Sequence, residues 1–207
     1  MLHPRVRLAL MTFGTLALLA IAGFVIFSDP KPGDATPAVT GGFAGAIRPV
    51  APAADFTLRD QDGRPASVAG LRGRPVVVSF MYTTCKNDCP TMTQQIRGAL
   101  DDLGTDVPVL AVSVDPSGDT PARARAFLAR QQMTGRMRFL LGSDAELQRV
   151  WRTFGIQPQG NGREHSASVV LLDRGGVARV SFPVDQLTPE GLAHDLRVLS
   201  AAGAASG

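Results

Sequence analysis

Cys85 and Cys89 are the only two cysteines of the 207-residue chain, and they stand four apart. Their setting is Tyr82-Thr-Thr-Cys-Lys-Asn-Asp-Cys-Pro90, after an apolar β-branched run (75–81) and before a stretch of helical pattern (91–103). A strand that delivers two thiols to the start of a helix is a reactive layout. The free N–H groups and the dipole of a helix start stabilise anions, so they lower a thiol pKa. Thiolate is the form that ligates metal or attacks a disulfide. On one helix, residues i and i+4 lie on the same face, about 6 Å apart. Two sulfurs so placed can share a metal ion or close a disulfide. The three-residue spacer is neither the two-residue spacer of thioredoxin-type redox sites nor the usual pair spacing of a structural zinc finger. Zinc in a structural site takes four protein ligands. Beyond the two Cys the chain offers three His. His3 precedes an apolar segment, which leaves His165 and His194 as imidazole candidates. Two soft thiolates with one imidazole suit Cu(I). The bland alternative is a structural disulfide or a pair of inert thiols.

The chain around this pair divides by composition. Residues 8–27 carry no charge over 20 positions, enough to cross a hydrocarbon core of about 30 Å. Arg5 and Arg7 flank the run on its N-terminal side, and Asp29 and Lys31 offset each other on the far side. The positive-inside rule then puts the N-terminus in the cytoplasm and the rest outside it. A cleaved signal is the rival reading, with Ala20-Ile-Ala22 as its cleavage site; the apolar run continues past it through Phe24–Phe27, which favours an uncleaved anchor. The expectation is a cytoplasmic N-terminus and transmembrane anchor over 1–27, a flexible Pro/Gly/Ala/Thr-rich linker over 28–50, and one domain over 51–207. From residue 51 on, 17 Arg or Lys face 16 Asp or Glu, so the sequence pI of about 9.4 is no argument for a nucleic-acid partner. An exported domain sits where disulfides form, so a lone Cys pair there is oxidised, metal-bound or cycling.

Periodicity orders the elements. Residues 55–60 alternate as a half-buried strand, and an Asp-Gly turn follows over 61–64. Residues 67–71 read as a connecting piece. The run 76–81 is a central strand buried on both faces. The stretch 91–103 places Met92, Ile96, Ala99, Leu100 and Leu103 on one helical stripe, with Gly104 as its stop. A second buried strand spans 107–114. The next helix opens at Asp119-Thr-Pro121, capped by Asp or Thr, and runs to about 132. A short strand covers 137–141. Ser143-Asp-Ala-Glu146 reads as a capping box for a helix ending near Phe154-Gly155. Strands 167–173 and 177–182 form a hairpin across Arg174-Gly-Gly176, and the last helix starts at Thr188-Pro-Glu190. Strands alternating with helices predict an α/β domain with a partly parallel, central mixed sheet of thioredoxin-like layout. In such sheets the site lies beyond the carboxyl ends of the strands, where Cys85 and Cys89 fall.

Three ordered motifs now bear on identity: Cys-x-x-x-Cys-Pro after a buried strand, Ser113-Val-Asp-Pro-Ser-Gly-Asp-Thr-Pro121, and Glu164-His-Ser166 before a strand. With them the chain resembles the Sco/SenC family over about residues 53–200, and in its N-terminal anchor as well. The resemblance implies a membrane-anchored, thioredoxin-like copper-binding protein. Its copper ligands would be Cys85, Cys89 and His165, taking Cu(I), and Cu(II) with a further ligand such as water or Asp115. It also implies a partner: the copper-site subunit of cytochrome c oxidase or another periplasmic copper protein. The location would be the inner membrane of a bacterium, single-pass, with the C-terminal domain in the periplasm. Lys86 stands where family members often have Pro, and Glu164 where they often have Asp.

Three functions are in play. The first is a copper chaperone. The second is a thiol–disulfide oxidoreductase, in which Cys85 attacks and Cys89 resolves. The third is a peroxidase on the same fold, for which Thr84 is present but no activating arginine is identified. Other residues have simpler roles. Asp119 reads as a helix cap, Asp115 as a turn former before Pro116, and His194 as a residue of an amphipathic helix. Trp151 and Phe154 read as core or groove residues, and Met81 and Met92 as core rather than thioether ligands.

Overall fold

The computed structural model of the chain describes residues 42–49, 51–156 and 168–202. The apolar run 8–27, most of the expected linker and His165 lie outside them. Among the described residues, no helix is long and apolar enough to cross a membrane.

The architecture grows from β4 (Val76–Met81), whose six residues are all buried. Alternate side chains point to opposite faces of a sheet, so a strand buried throughout must have a core on both. Val77 and Met81 join one core, with Cys89, Met92 and Ile96. Val76, Val78 and Phe80 join the other, with Leu147, Trp151 and Phe154. Burying each such side chain contributes about 1.5–3 kcal/mol. This explains why an unbroken apolar run is placed at the centre.

Among the described residues the sheet has eight strands, β1 (Ala46–Ile47), β2 (Thr57–Asp60), β3 (Pro65–Ser67), β4, β5 (Val109–Ser113), β6 (Arg138–Leu141), β7 (Ser168–Leu172) and β8 (Ala178–Pro183), in the order β1-β8-β7-β4-β5-β6-β2-β3. Parallel pairing joins β4 to β5 and β5 to β6. The rest is antiparallel. β7 lies on the other side of β4 and forms the expected hairpin with β8. β2 and β3 pair across the Asp-Gly turn. The piece read as a mere connection (67–71) therefore ends a strand and continues into a 3-10 turn, Ala69–Leu71.

Four α-helices are described. Helices α1 (Asp88–Leu103), α2 (Pro121–Arg130) and α4 (Pro189–Ala202) contribute to the core that holds Cys89. Helix α3 (Asp144–Phe154) covers the opposite face. Its start is the expected capping box: the Glu146 amide donates to the Ser143 hydroxyl, and the Glu146 carboxylate accepts from the Ser143 amide. Its end is Gly155 at φ +71°, a left-handed conformation that glycine adopts without a Cβ clash.

One boundary differs from expectation. The span 28–50 reads as linker, yet β1 (Ala46–Ile47) pairs antiparallel with β8, Ala46 opposite Ser181. The buried Asp195 carboxylate accepts from the Ala44 and Gly45 amides at 2.7 and 3.0 Å. The Arg48 guanidinium donates to the Phe154 carbonyl. A segment with no hydrophobic periodicity is thus held by backbone hydrogen bonds, which leave no pattern in side-chain polarity.

Candidate metal centre

The site assembles where β4 ends and α1 begins. After Met81 the chain turns at Tyr82–Cys85, with the Cys85 amide donating to the Tyr82 carbonyl at 3.3 Å. α1 then opens at Asp88, three residues earlier than its apolar stripe suggests. Cys89 therefore lies in the first helical turn, while Cys85 lies before the helix. The two thiols meet through the turn rather than along one helix face. The Cys89 amide, one of the helix's unsatisfied N-terminal donors, donates to the Cys85 sulfur at 3.2 Å. The first helical backbone bond, Thr91 amide to Asn87 carbonyl, closes beside it.

Burial makes the thiols unequal. Both are free; Cys85 is half-buried and Cys89 fully buried. Hydrogen bonding from the Cys89 thiol is the largest influence on Cys85. The Cys89 and Asn87 backbone amides and the Tyr82 side chain add to it against the opposing effect of burial, and together they bring the Cys85 thiol down to about 6. The same thiol–thiol bond, followed by burial, pushes Cys89 well above the ordinary thiol range, although a backbone hydrogen bond from Tyr82 opposes this. One proton is thus held on Cys89 while Cys85 carries the charge. The arrangement provides an accessible soft anion backed by a second sulfur that ionises only when an incoming cation replaces its proton.

The surrounding residues divide into those the sequence placed and those it did not. Met81 and Met92 are core residues, as expected, with no exposed surface. Trp151 is buried and its indole N–H donates to the Ser113 carbonyl at 3.0 Å, tying α3 to the end of β5. Asp115 is the turn former of its segment: its carboxylate accepts from the Ser117 hydroxyl and the Gly118 amide, each at 2.9 Å. A Cβ at Gly118 would fall 2.0 Å from the Asp115 carboxylate, so a larger residue there would displace that carboxylate. His194 is partly exposed and its Nδ1 lies 2.9 Å from the Asp195 carboxylate.

Asp119 is not the helix cap expected of it. Thr120 takes that role, its hydroxyl accepting from the Arg123 amide at 3.2 Å. The Asp119 carboxylate turns inward instead. It accepts from the Thr83 amide (2.8 Å), the Thr83 hydroxyl (2.6 Å) and the Ser113 hydroxyl (2.6 Å). Asp and Thr are both good caps, so local preference alone did not separate them; the donor set at the end of β4 did. Among the described residues, no third His, Cys, Asp or Glu stands with the two cysteines as a metal-holding group. His165 lies outside the described residues.

The family model described as SCO1/SenC matches residues 46–201. The chain is similar to the copper-bound structure of Bradyrhizobium japonicum ScoI, at 31% identity and a TM-score of 0.61, covering 72% of this chain and 99% of that one. It is similar to BsSco, described as a member of the Sco family of cytochrome c oxidase assembly proteins with a disulfide switch. There the identity is 27% and the TM-score 0.62, over 71% of this chain and 92% of that one. It is also similar to the chloroplastic peroxiredoxin Q of Oryza sativa subsp. japonica, 30% identical over 190 residues, or 90% of this chain and 83% of that one.

Proposed function

The chain belongs to the SCO1/SenC family, and from that premise we propose that it is a copper carrier, with the ion as cargo rather than resident cofactor. The observation that carries this reading is the thiol pair at the carboxyl end of β4, one sulfur held anionic and the other buried behind it. Cys85 and Cys89 would supply two soft donors, which favour Cu(I) over harder ions. His165 would supply the third, an assignment that rests on the family motif Glu164-His-Ser166. Binding displaces the Cys89 proton, so uptake strengthens as pH rises. A low-coordinate sulfur site on a partly exposed turn lets a partner's thiolate or thioether enter and take the ion by ligand exchange. The relative described as a cytochrome c oxidase assembly protein supports that enzyme's copper-site subunit as the recipient. The uncharged run 8–27 would hold the domain at the outer face of a bacterial inner membrane, beside that recipient.

A second reading, thiol–disulfide exchange, is favoured by the inequality of the two cysteines and by the similarity to peroxiredoxin Q. The accessible Cys85 thiolate attacks a partner disulfide, one partner sulfur leaves as thiolate, and Cys89 displaces the second as it closes the Cys85–Cys89 disulfide. The test is anaerobic Cu(I) titration of the reduced full chain in detergent against a competing chelator, beside His165→Ala. One tight equivalent that weakens sharply in the variant supports the carrier. Binding that ignores His165 refutes the three-ligand site and leaves disulfide exchange as the function.

A further inference from the structure

Asp119 has no duty in the chemistry above, yet it is 92% removed from solvent, with 8% exposure. Burying a carboxylate is costly unless its oxygens are satisfied. Among the described residues no salt bridge reaches it: burial is the largest influence and raises its pKa, the like-signed Asp115 adds to that, and the groups that oppose it are hydroxyls and an amide. Its three donors come from two places, Thr83 just past β4 and Ser113 at the end of β5. It therefore fastens the turn after β4 to its parallel neighbour.

That turn holds the sulfurs. Tyr82, bonded in sequence to Thr83, accepts from the Cys85 amide through its carbonyl. Its side chain hydrogen-bonds the Cys85 sulfur, and its backbone hydrogen-bonds the Cys89 sulfur. The Tyr82–Thr83 link is thus gripped by Asp119 on one side and touches both thiols on the other. We infer that Asp119 is a positioning residue, which acts through Thr83 and Tyr82 to hold the two sulfurs in their ligating and reactive arrangement. The metal-affinity part of this inference rests on the copper reading; the thiol-arrangement part does not.

The test uses the full chain, reduced and anaerobic, with two readouts: Cu(I) affinity by chelator competition, and the ratio of iodoacetamide labelling at Cys85 and Cys89. Asp119→Ala removes the acceptor for three donors. It should weaken Cu(I) binding about 10–100-fold, the usual cost of losing an outer-shell partner, and open Cys89 to labelling. Asp119→Asn should recover the wild-type pattern. Its amide oxygen still accepts from both Thr83 donors, and its NH2 donates to the Ser113 hydroxyl. Thr83→Val, which removes one donor and keeps the turn's volume, should move both readouts in the same direction by less, and it decides the matter if Asp119→Ala does not fold. If the variants lower only the unfolding temperature and leave labelling and affinity at wild type, the inference is overturned. If the wild type itself takes no copper, the copper reading fails, and the labelling ratio alone still decides the role of Asp119.

Discussion

The inequality of the two thiols carries a quantitative consequence. Cys85 ionises near 6, where an ordinary thiol ionises at about 8.5. At pH 7 it is about 90% thiolate, against about 3% for the ordinary thiol, a gain of about 30-fold. Nucleophilicity falls with basicity at a Brønsted slope of about 0.45, which returns about 13-fold of that gain. The net advantage is then only about twofold at pH 7, but about 20-fold at pH 5, and it reverses to about tenfold slower above pH 9. The assay is the pH dependence of iodoacetamide labelling of the reduced protein, with each cysteine quantified by peptide mass. Cys85 should label with a midpoint near 6, while the buried Cys89 stays unlabelled in the folded state. Cys89→Ala removes the largest cause of the shift, the thiol–thiol hydrogen bond, so the Cys85 midpoint should rise. A wild-type midpoint near 8.5, or labelling of Cys89 ahead of Cys85, would refute the reasoning.

Two further outcomes follow from the same structure. The folded Cys85 ionises near 6 and the unfolded thiol near 8.5, so its contribution to stability is present in full above about 8.5 and is lost as pH falls through about 6. Chemical denaturation of the reduced protein at several pH values should show stability climbing across that window, and the climb should vanish in Cys85→Ala. Asp195→Ala leaves the Ala44 and Gly45 amides without their acceptor. It should cost about 1–3 kcal/mol, the net worth of hydrogen bonds to a charged acceptor, and expose the segment before β1 to limited proteolysis; an unchanged cleavage pattern would show that β1 pairing alone holds it.

Where an element's cause is local, it was legible in the residues. The run Val76–Met81 required two cores because every position is apolar, and it has them. Ser143 and Glu146 meet within one turn, so their capping box needed no distant partner. Gly155 ends α3 because only a residue without Cβ takes φ +71° freely. The Cys pair, its place after a central strand, and the family motifs around it were equally visible. These features fixed the fold class and pointed to soft-metal or thiol chemistry.

What remained closed to the sequence depends on partners far along the chain. Asp119 and Thr120 are interchangeable as caps by local preference, and Thr83, 36 positions away from Asp119, drew that carboxylate inward. The segment 44–48 carries no periodicity, yet Asp195, at separations of 150 and 151, and β8 bind it through its backbone. Two identical thiols became a half-buried anion and a fully buried acid because the turn after β4 put one sulfur before the helix and the other in its first turn. Composition and spacing choose which groups are available. Which of them loses water, and which donor faces it, is set by packing between elements, and that decided how the two sulfurs differ.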